Sequence, residues 1–357
     1  MTSVGDLPLL PTTVIGSHPQ PRWLVDHDRL RGVGVPRVRA REVWRIDPEA
    51  EPAAYDEAIE AATLLAIADQ TDAGVDIITD GEIGRESYFN HFANSLGGVD
   101  KIRTGKGVNR RGGVADVPLV NGPIERLEPI ELDAARYLRA HTDRLTKVTV
   151  PGPFTLSQLA QNDHYPDQHA LAMAYAAAVN AELKDLAAAG IDVLQVDEPY
   201  LQANTEAARG FAVEAIAAAV DGVDAVTTLH TCYGYAVYVE NKSSGYPFLS
   251  ELARLPVDYI AIEAAQPGLP VEVVTELAPR KVVIGVLDLG SPEVERPEAI
   301  AARIRELLRH IDIADLSISP DCGMKYVPRP VAKAKLAAMV AAADIIRSEH
   351  PRNSQPR

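Results

Sequence analysis

The residues of this chain best suited to chemistry are His230 and Cys232, in Leu229-His230-Thr231-Cys232. They put an imidazole and a thiol two positions apart, directly after the apolar run Ala225-Val226-Thr227-Thr228. At the end of a strand, residues i and i+2 project to the same side, and His with Cys makes a good zinc pair. The only other cysteine, Cys322, stands in Pro320-Asp321-Cys322-Gly323-Met324-Lys325, again just past a short apolar run. An isolated His-x-Cys is usually structural, and a lone buried cysteine is usually a small hydrophobe. The company these residues keep changes that reading. Ser17, Glu82, Asp197, Glu263 and Asp288 also fall at or just beyond the C-terminal end of an apolar run. Zinc held by His230, Cys232, Glu263 and Cys322 would carry two thiolates and a carboxylate, a formal charge of about −1. Such a centre is a poor Lewis acid for carbonyl hydrolysis. It is suited to keeping a bound thiol deprotonated and nucleophilic, which points to alkyl transfer to a thiol. Four protein ligands close the site, so a substrate sulfur must displace one, most simply the carboxylate, or expand the coordination.

The elements that must position these residues alternate. Strands are expected at 12–17, 75–80, 148–150, 193–196, 225–229, 259–262, 282–287 and 316–318. Helices are expected at 52–74, 131–145, 167–189, 205–220, 246–254, 270–278, 297–310 and 330–348. Apolar strands separated by helices imply a parallel sheet buried on both faces. Eight such units predict a closed (βα)8 TIM barrel, with an open doubly wound sheet as the alternative. In such a barrel the C-terminal strand ends converge on one face, which would gather the polar residues named above. One domain over 1–348 is expected, with a frayed polar tail at 349–357. The rhythm breaks once, at 97–130, where glycines and the cations Lys101, Arg103, Lys106, Arg110 and Arg111 predict an irregular insertion or hairpin. It reads either as a solvated loop or as a lid that contacts an anion.

The composition narrows the function classes. At 357 residues with 46% hydrophobic side chains, a sizeable core is available. A net charge of −15 argues against nucleic acid, which wants a basic face. Two cysteines make no disulfide framework and fit a reducing cytoplasm. Met1-Thr2-Ser3-Val4-Gly5-Asp6 lacks the basic-then-apolar pattern of a signal peptide, and no apolar run is long enough to span a bilayer.

Several short motifs occur in one order along nearly the whole chain. They are Ile15-Gly16-Ser17-His18-Pro19-Gln20, Asp80-Gly81-Glu82, Gly152-Pro153-Phe154-Thr155, Val196-Asp197-Glu198-Pro199, His230-Thr231-Cys232, Ile262-Glu263 and Pro320-Asp321-Cys322-Gly323-Met324-Lys325. Together they resemble the catalytic half of cobalamin-independent methionine synthases, in a single-barrel short form. The resemblance implies a (βα)8 barrel with Zn2+ on His230, Cys232, Glu263 and Cys322. It implies homocysteine held by Ile15, Gly16 and Ser17, with Glu82 and Asp197 on its ammonium. Two carboxylates facing one desolvated ammonium make physical sense. The expected activity is methyl transfer to the homocysteine thiol, giving methionine, from a folate or corrinoid donor. The alternative is alkylation of another thiol, as in epoxide:coenzyme M transferase chemistry. Two positions depart from the family. Gly290 stands where a histidine precedes Ser-Pro, and Leu159 stands where a tryptophan stacks on the folate ring. Asp288 and His18 are left as proton-donor candidates by position alone.

Overall fold

The computed structural model describes residues 7–108, 113–239, 242–243 and 245–351. The strands, numbered in chain order, are β1 Ile77–Ile78, β2 Gly97–Val108, β3 Val114–Glu125, β4 Leu145–Pro151, β5 Gln161–Asn162, β6 Val193–Asp197, β7 Val226–Thr231, β8 Tyr259–Ile262, β9 Lys281–Leu287 and β10 Leu316–Pro320. Seven of them form one parallel sheet in the order β1-β4-β6-β7-β8-β9-β10. Their residues are buried almost without alternation, the polar ones of β4 included, because both faces are covered.

The expected first strand, 12–17, is reduced to two parallel bridges. Thr12 pairs with Ile318 of β10 and Thr13 with Ile77 of β1, which closes the sheet into a barrel. Ladder pairing stops there because the chain from Val14 bends into the mouth of the barrel. There the Ile15 carbonyl accepts from Gln195 Nε2 and the Gly16 carbonyl from the Thr79 hydroxyl, both at 2.8 Å. Helices cover the outside. The longest are Pro52–Asp72, Gln168–Ala188 and Arg329–Glu349. One apolar cluster extends from Leu10 to Ile346 and joins strands to helices.

Of the two readings of the insertion, the hairpin is the one observed: β2 and β3 pair antiparallel and β5 extends them. Its cations serve the hairpin itself. Lys101 Nζ donates to the Asn94 and Leu96 carbonyls, Arg103 pairs with Asp100, and Lys106 pairs with Asp116. Arg110 and Arg111 lie outside the described residues, as does the start, 1–6. The segment expected as a helix over 246–254 shrinks to Leu249–Leu252. The last helix runs on through Glu349, whose carboxylate takes both arms of Arg305, and residues 352–357 of the expected tail lie outside the described residues. The sequence reading missed three short helices, Asn90–Ser95, Pro153–Gln158 and Tyr200–Ala203, of which Pro153–Gln158 borders the site. Pro153 starts it, and the Glu198 carboxylate accepts the Phe154 and Thr155 N–H groups at 2.9 and 2.7 Å.

Among the described residues, no helix is long and apolar enough to cross a membrane.

Candidate metal and substrate site

His230 sits on β7 and Cys232 just beyond it, while Cys322 follows β10. A ring nitrogen of His230 and the two sulfurs lie within 4.8 Å of one another, and all three residues are buried. The sulfurs are 3.9 Å apart, too far for a disulfide bond. Two thiolates bound at about 2.3 Å to one tetrahedral zinc would stand about 3.8 Å apart. His230 Nδ1 donates to Asp197 Oδ1 at 3.0 Å, which leaves Nε2 as the free lone pair. That Nε2 is buried and has no hydrogen-bond partner.

The electrostatics call for a cation. The contact with Cys232 and burial both push the Cys322 thiol well above its ordinary value. Burial and Cys232 do the same to the Glu263 carboxyl. Burial disfavours charge on His230, yet Cys232 and Asp197 carry it up to about 10. Two thiols, a carboxylate and an imidazole crowd into one apolar space, and a divalent ion would satisfy all of them.

Glu263 lies beside this trio but outside it. Its Oε1 accepts the Tyr233 N–H at 3.1 Å, and its Oε2 is taken by the ammonium of Lys242, itself buried. Lys242 comes from the loop after β7, and nothing in its sequence context marked it.

The loops are tied together by a second carboxylate. Asp321 accepts three consecutive backbone N–H groups after β8: Ala264 at 3.0 Å, Ala265 at 2.9 Å and Gln266 at 2.6 Å. The ends of β8 and β10, which carry Glu263 and Cys322, are thereby fixed to each other. A β-carbon at Gly285 would fall 2.1 Å from Asp321 Oδ1, so only glycine fits there.

The residues expected on the substrate surround the same space. Ile15, Ser17, Glu82, Asp197, His230, Cys232 and Cys322 all line a cavity of about 1230 Å³. Gly16 lies behind them. A β-carbon on it would sit 2.2 Å from Glu82 Oε1, so its absence makes room for that carboxylate. Glu82 has a left-handed φ of 52°, and Asp80 Oδ1 accepts its N–H at 3.1 Å. A bulky residue held in that region stores strain that the surroundings must enforce. Its Oε1 accepts the Thr149 hydroxyl at 2.9 Å, while Oε2 is buried without a partner. Burial raises the Glu82 carboxyl, against the pull of Arg85. A carboxylate left with a bare oxygen in a cavity is a ready acceptor for an ammonium.

Asp197 belongs to a longer polar chain. Lys147 Nζ donates to Gln195 Oε1 at 3.0 Å, and Gln195 Nε2 donates to Asp197 Oδ1 at 2.8 Å. Lys147 also donates to the Val14 carbonyl and is fully buried. The signal for it was a charge in the middle of an apolar strand. Ser17 Oγ is 3.3 Å from the Tyr235 hydroxyl. The proton-donor candidates fare worse. His18 is turned onto Asp69, and Asp288 Oδ1 accepts the Gly290 N–H; neither lines the cavity. Leu159 does line it.

Residues 10–345 match the model of the cobalamin-independent synthase catalytic domain. The chain belongs to the cobalamin-independent methionine synthase family. Methionine synthases of two archaea are similar over nearly their whole length. That of Sulfurisphaera tokodaii is 31% identical, covering 97% of this chain and 95% of the relative. That of Saccharolobus solfataricus is 33% identical, covering 97% of each. Among solved structures, the B12-independent methionine synthase of Shewanella sp. W3-18-1, in complex with selenomethionine, superposes with a TM-score of 0.85 at 30% identity over 96% of this chain and 98% of that one. The (βα)8 barrel and methyl transfer to homocysteine thus belong to the family of this chain.

Proposed function

We propose that this enzyme methylates the thiol of homocysteine at a zinc centre held by His230, Cys232 and Cys322, with Glu263 as the fourth donor in the resting site. The single observation that carries the metal is the buried, unpartnered His230 Nε2 facing two sulfurs 3.9 Å apart. Bound zinc would keep the substrate thiol ionised at neutral pH without removing its nucleophilicity.

The chain's own residues do the rest. Asp197 fixes the His230 tautomer and ring orientation, as outer carboxylates do at metal sites. Glu82 offers its bare Oε2 to the substrate ammonium, with Asp197 on the other side. Ser17 and the Ile15–Gly16 backbone face the amino-acid end. Asp321 holds the loops that carry Glu263 and Cys322. Held between these groups, the sulfur would be positioned for in-line attack on the methyl carbon, with the demethylated donor as the leaving group. A sulfonate thiol such as coenzyme M fits less well, because it has no ammonium for Glu82. The selenomethionine in the Shewanella enzyme is an analogue of the methylated product, and the similarity of that chain supports the same ligand class here. Two buried free thiols so close together fit a reducing compartment, and we place the enzyme in the cytoplasm.

The test is methionine formation by zinc-loaded protein, with homocysteine and either methyltetrahydrofolate or methylcobalamin, beside Cys322→Ser. Methionine from one donor, lost together with the zinc in the variant, is the expected result. Stoichiometric zinc without methionine from either donor would refute the assignment of substrate.

A further inference from the structure

The wall of the cavity carries a guanidinium with no ion-pair partner among the described residues. Arg37 lines the cavity, donates from Nη2 to the Tyr200 hydroxyl at 2.7 Å and lies 6.0 Å from that ring's centroid. Its Nη1 is buried and has no hydrogen-bond partner. The backbone on either side is pinned. The Pro36 carbonyl accepts the Ser87 hydroxyl at 2.6 Å, and the Val38 carbonyl accepts Asn90 Nδ2 at 2.9 Å. Ser87 and Asn90 are themselves buried. The Arg37 side chain is therefore presented from a fixed strut and braced by a tyrosine. Arg39 lines the same wall. The nearby acids do not answer them: Asp116 is spent on Lys106, and Glu42 is exposed. In a chain of net charge −15, a half-buried arginine on a cavity wall, with its Nη1 shut away from water and without a hydrogen-bond partner among the described residues, is an anion receptor awaiting its anion.

We infer that Arg37, braced by Tyr200, binds an anionic group of the methyl donor, a carboxylate or a phosphate, and so sets which donor enters. This rests on the methyl-transfer reading, with the thiol at the zinc end and the donor at the Arg37 end. Arg37 has no part in activating the thiol. A folate donor would offer glutamyl carboxylates and a corrinoid donor the phosphate of its nucleotide loop.

The experiment compares the zinc-loaded wild type with Arg37→Ala and Arg37→Lys, after equal zinc content and melting curves are verified. The donors are methyltetrahydrofolate with one or three glutamates, methylcobalamin, methylcobinamide (which lacks the phosphate), and uncharged methyl iodide. For the anionic donor that serves, KM is expected to rise about tenfold or more in Arg37→Ala, with kcat within about twofold. Arg37→Lys should fall between. The KM for homocysteine and the rate with methyl iodide should not move. Loss of preference for triglutamyl over monoglutamyl folate would identify the carboxylate source; loss of preference for methylcobalamin over methylcobinamide would identify the phosphate. An unchanged donor KM in Arg37→Ala overturns the inference. Calorimetry with tetrahydrofolate and hydroxocobalamin needs no turnover and separates the two claims. Binding to the wild type that weakens about tenfold in Arg37→Ala sustains the anion site even where no methionine forms. Equal binding to both proteins, or to neither, refutes it.

Discussion

Asp321 Oδ1 accepts the Ala264 N–H at 3.0 Å, across the 57 positions that separate them in the chain. With the Ala265 and Gln266 amides on the same carboxylate, this contact acts as a clasp between the loops that carry Glu263 and Cys322. Asp321→Ala leaves three amide donors without their acceptor, but only that of Ala264 is on a buried residue, at about 1–3 kcal/mol for a buried group left unmade. Urea unfolding of the zinc-free protein should show a loss of about 1–3 kcal/mol, with faster zinc loss to a chelator from the loaded protein. A variant as stable as the wild type would mean that the loops hold themselves.

The cysteines and Glu263 should separate in metal binding. Cys232→Ser and Cys322→Ser are each expected to retain less than about one tenth of the zinc, since each removes a thiolate from a three-residue donor set. Glu263→Gln should weaken binding by only about tenfold, because its carboxylate is shared with Lys242 and the Tyr233 amide. X-ray absorption at the zinc edge should count two sulfurs in the resting protein and three with homocysteine. A count that stays at two would exclude direct contact between thiol and metal.

Asp197→Asn keeps the shape of the side chain but weakens its hold on His230 Nδ1. A loss of about 10–100-fold in zinc affinity is expected, by competition with a chromogenic chelator. Unchanged affinity would assign Asp197 to substrate binding alone.

Glu82 should discriminate substrates by their ammonium. Glu82→Gln is expected to raise the KM for homocysteine by about 10–100-fold, the range for losing a charge-assisted contact in a buried site. It should leave methylation of 4-mercaptobutanoate, which lacks the amino group, nearly unchanged. Equal losses on both thiols would place Glu82 in the scaffold.

Lys147 ties stability to pH. Burial pulls its ammonium down to about 7, although Asp197 and Glu82 oppose that. Between about 7 and the ordinary lysine value near 10.4, the unfolded chain therefore binds more protons than the folded one. The cost of burying the charge is fully present below pH 7, and stability rises as pH climbs through that window. The Lys147 contribution is on the order of a few kcal/mol. Lys147→Met should flatten the slope of unfolding free energy between pH 7 and 10, and an unaltered slope would show that the charge is buried without cost.

Much of the site was legible because its residues break a simple pattern. His230, Asp197 and Glu263 are polar residues where an apolar strand stops, and the barrel turns that position into a shared location. The hidden parts are partnerships formed between distant segments. Lys242 meets Glu263, Asp321 meets Ala264 and Arg37 meets Tyr200 only once loops far apart in sequence are folded together. No periodicity marks such loops. The first strand was overestimated because Thr12–Ser17 has strand composition, while its residues beyond Val14 spend their hydrogen bonds on Gln195 and Thr79. The hairpin at 97–125 was blurred by glycines. One of them, Gly98, has a φ of 77° and approaches the Pro123 carbonyl too closely for any side chain.

The three clustered side chains that could hold a metal enter along the chain in a fixed order: His230, Cys232 and, ninety residues after that pair, Cys322. Cys322 sits beyond the last strand, whose pairing with Thr12 also shuts the barrel. On the proposed ligation a chain emerging from the ribosome would display His230, Cys232 and Glu263 well before Cys322, the last thiolate. Firm capture of an ion would then coincide with closure of the barrel, and metal loading would be a late event.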